Sequence, residues 1–423
     1  MKNKKTVIIH IDALRREYLS GWLLGEFFKK KGYNVLLTSR HTTTRILKFF
    51  TPDIFVSTHV FLLTPKLWKN LIKRGTKVYI NEVEGTDHIH GVKTTYPEIY
   101  CNEKINYSLF SGIFVWGDYS YNFLIKNKKL DSDKVFLNGS TRQSILSRPE
   151  RKKDKVVVGI ISRFEIINTF DQRHPFDNLS DVDPEDSEWK WYFDRCVIDS
   201  EAFSIAYKLI KKLVEKGNYI SIRAHPNECI DPYKLLKKKF GKFLEIDNSY
   251  SINEWLSKVS VVVGTSSTAF TEPYLAKIPI ITLSKIQNFH YSGVDQKNWI
   301  HKFDLSAYQP KSVDEMFNLC IKLDLKEKSS KELDQYFNSF YSLENTIDPI
   351  EKIVQVVNSD VGNKSSSINY VIAKLFLFSV DILFIIKNTI TNSKGIDVMK
   401  NYNYNRLLHN PSKFMKNILK KNL

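Results

Sequence analysis

The apolar positions of this chain fall in short β-branched runs, separated by longer segments with a helical rhythm. Thr6–Ile11 (TVIIHI) is an unbroken run and predicts a strand. Arg15–Lys31 carries Leu19, Leu23, Leu24, Phe27 and Phe28 at helical spacing and stops at Gly32. Asn34–Leu37 predicts the next strand. A strand, a helix and a strand within about thirty residues predict a parallel sheet. The alternation continues with strands at Asp53–Ser57, Lys77–Ile80, Gly112–Trp116 and Lys134–Leu137, and helices at Pro65–Arg74 and Tyr119–Lys126. The charged stretch Ser147–Lys155 (SRPERKKDK) reads as a linker. The pattern then restarts, with strands at Val156–Ile161, Tyr219–Arg223, Phe243–Ile246, Val259–Val263 and Pro279–Leu283. Helices are predicted at Ser200–Lys216, Pro232–Phe240, Ile252–Ser257 and Thr268–Ala276.

This organisation predicts an α/β protein of two facing, Rossmann-like, doubly wound domains, residues 1–150 and 151–345. A return helix and a basic amphipathic tail are expected over 346–423. The length of 423 residues suits two domains. Between Phe164 and Phe193 lies a polar and aromatic insertion. It leaves the carboxyl end of a strand, where open α/β folds bind ligands.

In the tail, Ile368–Ile386 (INYVIAKLFLFSVDILFII) is strongly apolar, with Lys374, Asp381 and Asn388 seven residues apart. That spacing is nearly two helical turns and places the three on one stripe. The interruptions disfavour a membrane span and favour a helix lying on a surface.

Charge changes the picture most. The formal net charge is +17 and the sequence pI about 9.4, which calls for an anionic partner. Val361–Leu423 holds ten Lys or Arg against two Asp, a balance of +8, so nearly half of the excess sits on the tail. A tail of this kind suits anionic lipid. The concentration of charge there, with no recognisable nucleic-acid motif, argues against a nucleic-acid binder. Cys101, Cys196, Cys229 and Cys320 are scattered, which predicts neither a disulfide framework nor a zinc site and suits a reducing cytosol. The N-terminus MKNKKTVIIHID has too short an apolar run for a signal peptide.

Two constellations carry candidate chemistry. In ISIRAHPNE (Ile220–Glu228) a strand ends at Arg223, and Pro226 stops the backbone beside His225, presenting the imidazole at the sheet edge. Arg223 and His225 can hold a phosphate by charge-assisted bonds. In VVVGTSSTAFTEPYL, Gly264 turns the chain and Thr265, Ser266, Ser267 and Thr268 open a helix, where hydroxyls and backbone N–H groups form an anion site. The two elements are expected to leave neighbouring strands and to grip one phosphate.

RAHP followed by GTSST resembles the paired HP and SS motifs of bacterial sialyltransferases and of the β-Kdo transferases of capsule and O-antigen assembly. FLNGSTRQSIL (Phe136–Leu146) and VVVGIISRF (Val156–Phe164) are similar to a family of surface-carbohydrate biosynthesis proteins with a GNPR-like turn. The resemblance implies a GT-B fold and a CMP-activated sugar, such as Kdo or a nonulosonic acid, bound by the second domain. It implies a lipid-linked glycan as acceptor, and a peripheral place at the inner, cytoplasmic face of the membrane. Teichoic-acid polymerases using CDP-glycerol carry a related pair, so a polyol-phosphate donor stays open.

Glu84, next to Gly85 in KVYINEVEGTDHIHG, resembles the acidic residue beside glycine in those families and is the candidate general base, with Glu82 beside it. A retaining reaction would need a carboxylate nucleophile, for which Asp171, with Asp194 behind it, is nominated. Arg163 and Glu272 are candidates for the donor's charge and its ribose. His10, Asp12, Arg15, Arg16 and Glu17 follow the first strand and can touch the acceptor. With no GxGxxG, no P-loop motif and no DxD at a strand end, neither a dinucleotide cofactor nor a metal is required.

Overall fold

The structure, a computed structural model, describes residues 4–12, 14–83, 104–145, 156–169, 172–175, 177, 187–247, 249–288, 304–342, 347–360 and 370–391. These divide into two compact units. One runs to Ile145 and resumes at Asp334; the other ends at Leu333. The chain therefore returns to the first unit within the helix Lys331–Tyr341, earlier than residue 346.

The first unit is a six-stranded sheet in the order β2-β1-β3-β4-β5-β6. Its strands are β1 (Thr6–Ile11), β2 (Asn34–Ser39), β3 (Ile54–Ser57), β4 (Lys77–Asn81), β5 (Gly112–Val115) and β6 (Val135–Leu137), all parallel. The burial of β1 on every residue explains why it reads as a continuous apolar run rather than an alternating one. The strand order reverses at β1, with β2 on one side and β3 on the other, so the switch point lies between β1 and β3.

The second unit is a five-stranded parallel sheet ordered β11-β10-β7-β8-β9. Its strands are β7 (Val157–Ile161), β8 (Tyr219–Arg223), β9 (Leu244–Ile246), β10 (Val261–Gly264) and β11 (Ile280–Thr282). Here the order reverses at β7, and the switch point lies between β7 and β10. Ile161 pairs with Arg223 on one side and Gly264 on the other, and Gly264 pairs with Thr282, so four strands end level. A Cβ on Gly264 would lie 3.1 Å from the Ile161 carbonyl oxygen, so glycine lets these two strand ends approach.

Helices differ from expectation in several places, and Val313–Cys320 and Lys331–Tyr341 were not anticipated. Arg40–Phe49 is an unanticipated helix, opened by Ser39, whose N–H donates to Thr42 Oγ1 at 3.0 Å. The helix expected from Ser200 begins at Ser187 and runs to Glu215. The segment after β10 is a 3₁₀ turn, Thr268–Phe270, followed by a short α-helix, Thr271–Leu275.

The C-terminal helices complete the first unit. Pro349–Asp360 buries Ile350, Ile353, Val354 and Val357 and packs against the helix Leu14–Lys30. Tyr370–Thr391 docks through Ala373 and Leu377, while Phe376 meets Phe49 and Phe50 at ring distances of 5.7 Å. Its other side leaves Val371, Ile372, Leu375, Phe378, Ile382 and Leu383 exposed. No helix among the described residues is long and apolar enough to cross a membrane.

Candidate functional site

At the carboxyl edge of the second sheet, β8 and β10 are not neighbours, because β7 runs between them. His225 and Ser266 thus leave strands two spacings apart, about 10 Å in the backbone. This corrects the expectation of adjacent strands. Alternation along the chain dictates parallel pairing, but not that β10 crosses back past β7. The strand between contributes Arg163, whose Nη1 donates to the Ser266 carbonyl at 2.9 Å and so spans the switch point. The site is a row: His225, then Arg163, then the hydroxyls of Thr265–Thr268.

His225 is held in place. Its backbone N–H donates to Ser162 Oγ at 3.1 Å, and its Nδ1 lies 3.0 Å from Glu165 Oε2. The Asn227 N–H also approaches Nδ1, at 3.3 Å. One ring nitrogen cannot satisfy both. The shorter, charge-assisted contact assigns the Nδ1 proton to Glu165 and leaves Nε2 to serve a ligand. Burial alone would raise the Glu165 carboxyl, but the hydrogen bond and charge of His225, with Arg163 and Arg195, hold it at about 2. Asp199 lies behind, 3.2 Å from Arg195 and accepting from the Ile166 N–H at 3.1 Å. Burial, only partly offset by Arg195, pushes its carboxyl up to about 6.

Glu228, the last residue of ISIRAHPNE, is a buried bracket. It accepts from Ser162 Oγ, from the Phe164 N–H and from the Tyr233 hydroxyl, tying the exits of β7 and β8 together. Pro226 stands between His225 and this bracket. Arg223 differs from expectation. Its Nη1 is paired with buried Asp247 and bonded to Ser249, so that nitrogen joins β8 to the residues after β9 rather than reaching for phosphate. Ser267 caps the 3₁₀ turn, accepting from the Ala269 N–H at 3.2 Å. Thr265 Oγ1 is buried with no hydrogen-bond partner among the described residues. Glu272 is buried within the short helix that follows.

In the first unit, Glu82 is fully buried. It accepts from the Trp116 N–H at 2.6 Å and the Ser120 hydroxyl at 2.8 Å, while its carbonyl takes the Trp116 indole. These bonds join the exits of β4 and β5, an architectural task. Glu84 and Asp171 lie outside the described residues. Asp194 is half-buried on the helix Ser187–Glu215. The NGSTR turn is a junction. Arg142 stacks 4.8 Å from the Trp116 ring, Gln143 donates to the Tyr341 carbonyl and Ser144 to Asp348. Gly139, at φ 78°, takes the left-handed bend.

The exits of β1 and β3 hold a second polar group. Asp12 Oδ1 lies 3.7 Å from His10 Nε2 and 3.6 Å from His59 Nε2. Burial pulls the His10 imidazole below its ordinary value against the attraction of Asp12. Arg16 reaches Glu17 Oε1 at 2.8 Å and Asp12 Oδ2 at 3.8 Å, and Glu17 accepts from the Asp12 N–H. Arg15 is half-buried in the same helical turn. His59 was not singled out by sequence, although it follows an apolar strand (IFVSTH) much as His225 does. Glu165, Arg195 and Asp199 were missed as well. Only the i,i+4 spacing of Arg195 and Asp199 signals them.

Two doubly wound parallel units in one chain, each with polar side chains at its switch point, give a GT-B fold. The sequence matches no protein-family model and no curated protein. Among solved structures, the wall teichoic acid polymerase TagF (H444N variant) is similar, at 12% identity with a TM-score of 0.53. The match covers 85% of this chain and 89% of that one. The UDP-GlcNAc 2-epimerase of Methanocaldococcus jannaschii matches at 14% identity and TM-score 0.47, over 84% and 99% of the two chains.

Proposed function

We propose that this protein is a glycosyltransferase of surface-polysaccharide assembly that takes a CMP-activated ulosonic acid and passes the sugar to a lipid-linked glycan. The observation that carries the reading is the row at the second switch point. His225, oriented by Glu165, Arg163 and the Thr265–Thr268 hydroxyls stand at the level ends of β8, β7 and β10. Donors of this kind suit a leaving phosphate. In this reading the acceptor oxygen attacks the anomeric carbon and the bond to the CMP phosphate breaks. The electron pair stays on the phosphate, where Arg163 and a proton on His225 Nε2 meet it. The acceptor proton passes to Glu84 as base. Asp171 would act as nucleophile only if configuration is retained. Gly264 and Ser267 shape the phosphate loop, and Glu272 is assigned to ribose.

The exposed apolar row of Tyr370–Thr391 is proposed to lie on an anionic bilayer, where a lipid-linked acceptor would be found. The lysine-rich sequence that follows supports that placement. A second reading is transfer of a polyol phosphate from CDP-glycerol, favoured by the similarity in fold to a teichoic acid polymerase. Incubation with CMP-ulosonic acids or with CDP-glycerol, with CMP release and product mass followed, tests both. Sugar-bearing product only with CMP-ulosonic acid is the expected result. Polyol-phosphate product would establish the second reading, and no CMP from either donor would overturn both.

A further inference from the structure

The polar group at the first switch point has a chemistry of its own. His10, Asp12 and His59 each offer one ligand atom, and these atoms lie within 4.8 Å of one another. The His10 side chain is closed to solvent, Asp12 is 11% exposed and His59 16%. The tautomer of His10 follows from its neighbours. Thr43 Oγ1 is 2.9 Å from His10 Nδ1, and it donates its own proton to the Ser39 carbonyl at 2.7 Å. With that proton on Ser39, Thr43 accepts from Nδ1–H and from the Thr38 hydroxyl 2.7 Å away, and the Nε2 lone pair faces Asp12. Nε2 has no hydrogen-bond partner among the described residues. A buried lone pair and a carboxylate oxygen 3.7 Å apart repel each other unless a cation lies between them. His59 approaches the same oxygen from another direction, its ring nearly perpendicular to that of His10 at 84°.

We propose that His10, Asp12 and His59 form a binding site for a divalent transition-metal cation of the zinc class. Two imidazole nitrogens and one carboxylate oxygen are the donor set such ions prefer. In a tetrahedral zinc site the ligand atoms stand about 3.3 Å apart. The observed 3.6 and 3.7 Å contacts to Asp12 close to that by shifts of a few tenths of an ångström, and the two imidazole nitrogens, within 4.8 Å of each other, by at most about 1.5 Å. Thr43 supplies the outer hydrogen bond that metal-bound histidines commonly have, and it fixes the ring that carries Nε2. Three protein ligands leave a coordination position open, so the site is of the kind that admits a water or a substrate oxygen. It belongs to the first unit and is independent of the donor reading made for the second.

The test uses the full chain without a histidine tag, stripped by chelator and dialysed against Zn²⁺ or Co²⁺. The expected result is about one tightly held equivalent of Zn²⁺, a Co²⁺ absorption band of a low-coordinate N/O site, and a higher melting temperature with Zn²⁺. His59→Gln should lose the band and the thermal shift, and because His59 reaches the surface its folding is checked readily by circular dichroism. Thr43→Val keeps all three ligands and should weaken Zn²⁺ by about 10- to 100-fold. Equal Zn²⁺ binding by wild type and His59→Gln would overturn the proposal. So would nitrogen NMR showing that His10 Nε2 keeps a proton in the presence of Zn²⁺.

Discussion

The two switch points share a topology and differ in chemistry. In each, a central strand has its sequence neighbour on one side and a later strand on the other. The point between β1 and β3 gathers two imidazoles and a carboxylate, all but closed to solvent. The ends of β8, β7 and β10 carry a half-exposed imidazole, a guanidinium and a run of hydroxyls. Imidazole nitrogens beside a carboxylate suit a cation. A guanidinium beside hydroxyls suits an anion. The crevice is dictated by strand order, and its ligand by the two or three residues that follow each strand.

The largest way to break the contrast is at His225. His225→Ala should lower kcat/KM by about 10²- to 10⁴-fold through loss of proton donation. Glu165→Gln, which only orients the ring, should cost less and shift the pH profile. Equal losses would make Glu165 more than a positioning residue. Next is Glu82. Glu82→Ala strands the Trp116 N–H and the Ser120 hydroxyl, and should lower stability by about 2–4 kcal/mol in denaturant titration. A variant of unchanged stability that lacks turnover would give Glu82 a catalytic part instead.

Arg163→Ala should weaken CMP binding by about 10- to 100-fold, the worth of a charged hydrogen bond, and leave Zn²⁺ binding by the first unit untouched. A smaller effect comes from pH. The folded Glu165 carboxyl sits at about 2, below its ordinary 4.5, so its stabilisation is present above about pH 4.5 and is lost as pH falls toward 2. Asp199, raised to about 6, works the other way and favours the fold as pH drops from 6 toward 4. After solvent screening each trend is worth about 1–2 kcal/mol. Melting temperatures against pH for Glu165→Gln and Asp199→Asn should each lose one limb. The smallest change in stability is expected for Leu375→Ser and Phe378→Ser, under about 0.5 kcal/mol because both side chains are exposed. Their binding to anionic vesicles should nevertheless fall by about tenfold, and unchanged sedimentation with vesicles would contradict the membrane role.

What could be read from the sequence followed the strength of the local signal. Thr6–Ile11 and Tyr219–Arg223 were located to the residue, because short stretches rich in β-branched residues leave few alternatives. The helix Arg40–Phe49 was missed because Thr42, Thr43 and Thr44 are poor helix formers, and its capping contact is made only on folding. The end of β8 beside His225 was legible because Pro226 stops the strand. The contacts around it were not, since Glu165 lies sixty positions away and Asp247 claims Arg223 across twenty-four. Strand order was also out of reach. Nothing local to β10 says that it crosses to the far side of β7, and that crossing puts Arg163, which follows β7, between the exits of β8 and β10.

The central claim is that the second switch point is built for a cytidine monophosphate. Calorimetric titration of the full chain with CMP, UMP, GMP and AMP tests it most directly. Binding of CMP at least tenfold tighter than the other three, and lost in Arg163→Ala, is the predicted result. Equal affinity for all four nucleotides, or CMP binding that survives Arg163→Ala and His225→Ala together, would contradict it.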